Sequence, residues 1–199
     1  MGKDLNISIS NGQWESIFCR LHKGSLNVLT QENSYKLYSR WYRTPNVINK
    51  YNPNVSPLCW RCGTAPGTLL HIWWECPLIA AFWKDVHDLI TSISTFTPDF
   101  TAEQYLLHLS SLPNSVYKGS IVVHLINAAK LCIPIKWLQT SPPRISDWIR
   151  KVDHIANMEE LISQSKNSCR SFSDKWACWS NFSRSTEYLS LLNTCSAPV

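Results

Sequence analysis

The 199-residue chain has no run of about 18 apolar residues, so no segment reads as a membrane-spanning helix. Its first residues, Met1-Gly2-Lys3-Asp4-Leu5-Asn6, lack the apolar stretch of a signal peptide, and secretion is not expected either. Strict alternation of apolar and polar residues never lasts beyond a few positions, and no Asn-Gly turn joins two apolar runs. Both signals of a sheet are therefore missing, which favours an all-α architecture. No unit recurs at a period of roughly 20 to 50 residues, which argues against a solenoid. Gly-x-Ser-x-Gly, a Gly-rich phosphate loop and His-Glu-x-x-His are all absent.

Charge is scarce as well. Charged residues make up 17% of the chain against 44% hydrophobic, a balance that suits a folded core and neither a disordered tail nor a coiled coil. One gap in the charge matters more than the total. Between Asn33 and Trp74 there is no Asp or Glu, while Lys36, Arg40, Arg43, Lys50 and Arg61 all fall there. These five account for the whole net charge of +5, because the remaining basic residues number the same as the 14 acids. An excess confined to one stretch is the footprint of a surface that faces phosphates.

What the chain has in abundance is tryptophan and cysteine, at ten and eight residues. Tryptophans serve cores, interfaces and base stacking. Most are expected to be core here. Cys19, Cys132, Cys169, Cys178 and Cys195 stand apart in apolar or helical settings and read as small hydrophobes. The other three belong to a pattern: Cys59-x2-Cys62-x8-His71-x4-Cys76. Three thiolates and one imidazole at this spacing match a tetrahedral Zn²⁺ knuckle. Gly63 supplies positive φ after the second ligand, and the Pro66-Gly67 turn brings the chain back. Four ligands leave no open position for a catalytic water, so one structural zinc is expected. Bound zinc with three thiolates carries about one negative charge, so any phosphate contact falls to the neighbours. Trp60 with Arg61 is the preferred contact pair, while Tyr38, Trp41, Trp73 and Trp74 are expected to pack inward.

Periodicity places helices at Trp14 to Gly24, Thr30 to Tyr42, Pro45 to Tyr51, Pro77 to Thr91, a segment after Thr101, Ser115 to Gln139 with a break at Pro134, Ile145 to Ser165, and Phe172 to Phe182. Thr68 caps a helix beginning Leu69-Leu70-His71, and Thr101 with Gln104 makes a capping box. The chain then divides into a loose leader over 1–12, basic and aromatic helices with the knuckle over 13–94, a helical C-terminal part over 95–185, and a frayed tail over 186–199. The fold class is all-α, an irregular helical domain with a small Cys3His knuckle inserted between helices.

Three segments carry a resemblance: Tyr35-Lys36-Leu37-Tyr38-Ser39-Arg40-Trp41-Tyr42-Arg43-Thr44-Pro45, Cys59-Trp60-Arg61-Cys62-Gly63, and Gly67-Thr68-Leu69-Leu70-His71-Ile72-Trp73-Trp74-Glu75-Cys76-Pro77. They resemble the C-terminal region of non-LTR (LINE-type) retrotransposon reverse transcriptases, the second open reading frame of vertebrate elements. The likeness is strongest over 34–83 and continues more weakly through Asp147-Trp148-Ile149-Arg150-Lys151-Val152 and Phe172-Ser173-Asp174-Lys175-Trp176. It implies a fragment without the upstream endonuclease and polymerase domains, with a CCHC motif that binds element RNA or target DNA, single strands preferred. It also implies a cytoplasmic ribonucleoprotein and the nucleus as its locations. No Asp-Asp pair is present to hold polymerase Mg²⁺, and Glu159-Glu160 read as solvated surface. The chain is therefore expected to bind through Lys36, Arg40, Arg43, Lys50, Trp60 and Arg61, without catalysis, a membrane or a small-molecule substrate. The alternative is a zinc-stabilised helical scaffold that docks on proteins or on the missing polymerase domain.

Overall fold

A computed structural model describes residues 2, 4–5, 7–24, 27–109, 121–166 and 168–193, the side chains of 20–24 excepted. The chain is all-α, with the Cys/His cluster set between helices and no sheet among the described residues. Its helices are α1 (Asn11–Gly24), α2 (Val28–Tyr38), α3 (Pro45–Tyr51), a π-helical turn (His71–Glu75), α4 (Pro77–Ile93), α5 (Ala102–Leu107), α6 (Val122–Ile135), α7 (Ile145–Ser165), α8 (Cys169–Phe182) and α9 (Thr186–Asn193). None of the described helices is long and apolar enough to cross a membrane.

The most apolar helix is the centre of the body, as its composition demands. Ten of its residues from Val122 to Cys132 are buried, leaving only Leu131 part-covered. The amphipathic α7 lies along it, α8 and α9 pack on α7, and α2 and α4 cover its other sides, with α1 outside α2. One hydrophobic core runs from Leu5 to Phe182 and takes in Cys59 and Cys76, so the knuckle is built into the body. Each fully buried aliphatic side chain contributes about 1.5–3 kcal/mol. Trp83, Trp148 and Trp176 are entirely enclosed and still satisfy their indole N–H groups. Trp83 donates to the Trp73 carbonyl at 2.7 Å, Trp148 to the Leu125 carbonyl at 2.9 Å and Trp176 to Glu159 Oε2 at 3.1 Å.

Several boundaries differ from the sequence expectation, each for a local reason. Helix α2 starts at Val28 because Asn27, outside the expected start at Thr30, accepts from the Leu29 and Thr30 amides. It stops at Tyr38 because Arg40 takes a left-handed φ of 56°. Helix α6 ends one residue after Pro134, whose missing N–H cannot continue the ladder, and Lys136 and Trp137 then close two turns. The Ser115 end of that expected helix lies outside the described residues. Thr101 caps α5 through its side chain, but the Gln104 side chain does not reciprocate and is left without a partner. The tail is not frayed over its first part, since Thr186–Asn193 is α9. The leader is tied down as well: Leu5 is buried in the core and Asp4 pairs with Arg40 at 2.6 Å.

Two further expectations are corrected. Glu159 is not solvated surface but 4% exposed, held by Trp176 and Lys175 against the buried His124. Cys19 and Cys169 are exposed thiols, whereas Cys132 is buried, Cys178 half-buried, and Cys195 outside the described residues.

Candidate metal centre and its basic surroundings

The segment before α4 brings four soft or borderline donors together. The approach is not extended throughout, since Pro53 lies in a turn closed by the Val55 amide on the Asn52 carbonyl at 3.0 Å; beyond Pro57, Leu58 bridges to Pro66 in an antiparallel pairing. Within it the Cys59 amide donates to the Ala65 carbonyl at 2.8 Å, the Gly63 amide to the Cys59 carbonyl at 2.9 Å and the Gly67 amide to the Pro57 carbonyl at 2.8 Å. Gly63 takes φ +67°, the left-handed conformation expected for it. Thr68 Oγ1 accepts from the His71 amide at 3.1 Å, as the capping argument requires.

The His71-x4-Cys76 spacing then explains the π turn. In an α-helix, residues five apart sit about 140° apart around the axis, on different faces. Here the Cys76 amide donates to the His71 carbonyl at 2.7 Å, the i→i+5 bond that widens the turn and sets the two side chains on one side. Pro77, with no N–H to give, starts α4 directly after the last ligand.

The ligand atoms of Cys59, Cys62, His71 and Cys76 all lie within 4.8 Å of one another. Cys59 Sγ and Cys76 Sγ are 3.8 Å apart. A tetrahedron with metal–sulfur bonds of about 2.3 Å has edges of about 3.8 Å, so this pair is spaced as two vertices of such a site. Cys62 Sγ lies 3.3 Å from His71 Nε2, close to the edge of about 3.6 Å between a sulfur and an imidazole vertex. The cluster can hold a metal ion, and its donor set fits one.

Its electrostatics favour thiolate at the rim. The Thr64 hydroxyl, aided by the Thr64 and Ala65 amides and by His71, pulls the Cys62 thiol down to about 5 against the cost of desolvation. Burial pushes the Cys76 thiol up. Arg61, between the first two ligands, is only 7% exposed. Burial lowers its pKa, and the Cys59 and Cys76 thiolates oppose that.

The expected nucleic-acid contacts separate into two groups. Arg61 is corrected: its side chain turns inward, where Nη2 donates to the Lys136 carbonyl at 3.0 Å, and it offers no surface to a phosphate. Trp60 is half-buried, edge-on to Trp137 at 5.7 Å between centroids, within an aromatic group that includes Tyr42 and Trp73. The others lie on the outside. Arg43 and Lys50 are exposed and have no ion pair among the described residues, whereas Arg40 pairs with Asp4 and Lys36 with Glu32 at 2.7 Å. Lys36 also lines an open groove of about 410 Å³ that reaches Tyr42, Pro134 and Lys151.

Trp41, expected to pack inward, is instead 67% exposed, and Tyr51 is 78% exposed. Trp41 belongs to the helical stripe only if α2 continues past Arg40, which it does not. In sequence Trp41 lies between Arg40 and Arg43, and Tyr51 follows Lys50. No protein-family model matches the chain.

Proposed function

We propose that this chain binds single-stranded nucleic acid through the face formed by the end of α2 and by α3, with Zn²⁺ as the structural ion of the knuckle. The observation that carries this reading is the interleaving of exposed rings and cations, Arg40-Trp41 followed by Arg43 and then Lys50-Tyr51, on a stretch without one acid. Rings of this kind stack on bases irrespective of sequence while the cations pair with phosphates. Recognition through splayed bases suits RNA and single-stranded DNA better than a duplex. The resemblance to the C-terminal region of LINE-type reverse transcriptases points the same way, toward an element's RNA or its target DNA. Three thiolates and an imidazole select zinc among the common divalent ions by ligand softness and tetrahedral geometry. The role in this reading is binding, with no chemistry assigned to the chain.

The test is a titration of the purified, zinc-loaded chain with a fluorescent single-stranded RNA at two salt concentrations. Affinity that falls steeply with salt supports the reading, because phosphate contacts release counterions. No binding at low salt removes it.

A second reading, protein docking, is favoured by Leu29 and Ile135, at 51% and 63% exposure, which line the groove between α2 and α6. A chain that ignores RNA but self-associates in a manner relieved by Ile135→Asp supports it.

A further inference from the structure

We propose that Arg61 is the countercharge of the metal centre, a buried positioning residue whose guanidinium balances the charge that three thiolates leave on a divalent ion. The inference rests on the reading that Cys59, Cys62, His71 and Cys76 hold such an ion.

Arg61 is 7% exposed, more buried than its neighbouring ligand Cys62, yet no carboxylate pairs with it among the described residues. Of its three guanidinium nitrogens only Nη2 has a protein acceptor, the Lys136 carbonyl. Nε and Nη1 are enclosed and have none. A cation taken out of water without an opposing charge is among the costliest arrangements in a protein interior. The groups that would carry negative charge against Arg61 with an ion bound are Cys59 and Cys76, themselves 2% and 0% exposed.

With the ion bound, charge accounting closes. Two positive charges against three thiolates leave about one negative charge, which one guanidinium cancels. Without the ion the same guanidinium keeps a single protein acceptor, the Lys136 carbonyl, with Nε and Nη1 still enclosed. Arginine suits the place better than lysine, because its fork stays protonated and donates in several directions at once. The bond to Lys136 adds a mechanical consequence. It ties the knuckle to the turn that follows α6, so the seating of the knuckle on the helical body depends on the charge of the ion site.

The experiment compares the parent chain with Arg61→Met, Arg61→Gln and Arg61→Lys by zinc competition and by thermal melting, with zinc and with a chelator. Partners of this outer kind typically change metal affinity by about 10- to 100-fold. Arg61→Met and Arg61→Gln are expected to weaken zinc by that factor, and Arg61→Lys by less. Melting distinguishes a countercharge from a mere anchor. With zinc, Arg61→Met should melt below the parent; with chelator it should melt at or above it, since the buried unpaired cation is gone. An anchor to the Lys136 carbonyl alone would lower both melts alike, which overturns the proposal, as does parental zinc affinity in Arg61→Gln. The tetrahedral visible spectrum of the Co²⁺-loaded variants checks that the four ligands still assemble. A parent chain that takes up no metal overturns the metal reading together with this one, whereas equal uptake and affinity in parent and variants overturns this one alone.

Discussion

Pro45 and Gly67 are packed so closely that a Cβ on the glycine would lie 2.5 Å from Pro45 Cγ. The Asn46 amide donates to the Gly67 carbonyl at 3.3 Å across the same contact, so the first turn of α3 is clipped to the knuckle. The contact needs a residue without a side chain, because the proline ring cannot swing aside. Gly67→Ala is therefore expected to destabilise the zinc-loaded chain by about 1–3 kcal/mol, the usual cost of overpacking. Urea denaturation checks it. An unchanged midpoint would show that α3 moves freely on the knuckle.

The buried His124 faces Glu159 at 3.2 Å, and it makes the fold sensitive to acid. Burial draws its pKa from the ordinary 6.5 down to about 4; Glu159 opposes that shift and Lys175 adds to it. The unfolded chain therefore binds the proton more readily than the folded one. Stability from this group is complete above about pH 6.5 and is lost as pH falls toward about 4. Melting temperatures at pH 7, 5.5 and 4.5 should fall in that order, and His124→Gln should flatten the decline. If His124→Gln melts with the same acid slope as the parent, the sensitivity lies in other groups.

On the basic face, cations and rings separate by their response to salt. Replacing Arg43 and Lys50 together with Glu removes cations and should lower the salt slope of RNA binding by about 0.7 for each phosphate left without its cation. Trp41→Ala should instead weaken binding by about 1–3 kcal/mol with the slope unchanged, as expected when a stacking platform is removed. Fluorescence anisotropy at three salt concentrations reads both. A slope unaffected by the double substitution would place the binding surface elsewhere.

Much of this arrangement was legible in the residues, and the failures share a cause. Helix α7 runs from Ile145 to Ser165 as its periodicity indicates, and the four ligands meet as their spacing requires. Spacing along one segment is local information. Burial of a polar residue is not. Glu159 looked solvated because its own helix offered no reason to bury it; the reason is Trp176 on α8 and His124 on α6. Arg61 looked like a surface cation because its acceptor, the Lys136 carbonyl, lies 75 residues along the chain. Trp41 failed the other way, since a single left-handed residue at Arg40 ended the helix that would have turned it inward.

The knuckle's contribution to the fold is open to direct measurement because two kinds of cysteine share the chain. Cys76 is wholly buried, begins the α4 cap and sits 3.8 Å from Cys59 Sγ, while Cys169 is an exposed thiol at the start of α8. A structural ion binds the folded chain far better than the unfolded one, so its binding energy adds to stability. Cys76→Ser is expected to abolish metal uptake and lower the melting temperature of the chain. Chelation of the parent should produce much the same fall, and Cys169→Ser should leave both uptake and melting unchanged. Uptake is read by a metal-release assay, melting by circular dichroism at the helical minimum. Were the chelated parent to melt at the temperature of the loaded one, the cluster would hold together without an ion, and its thiols would be packed hydrophobes that happen to lie at a ligand spacing.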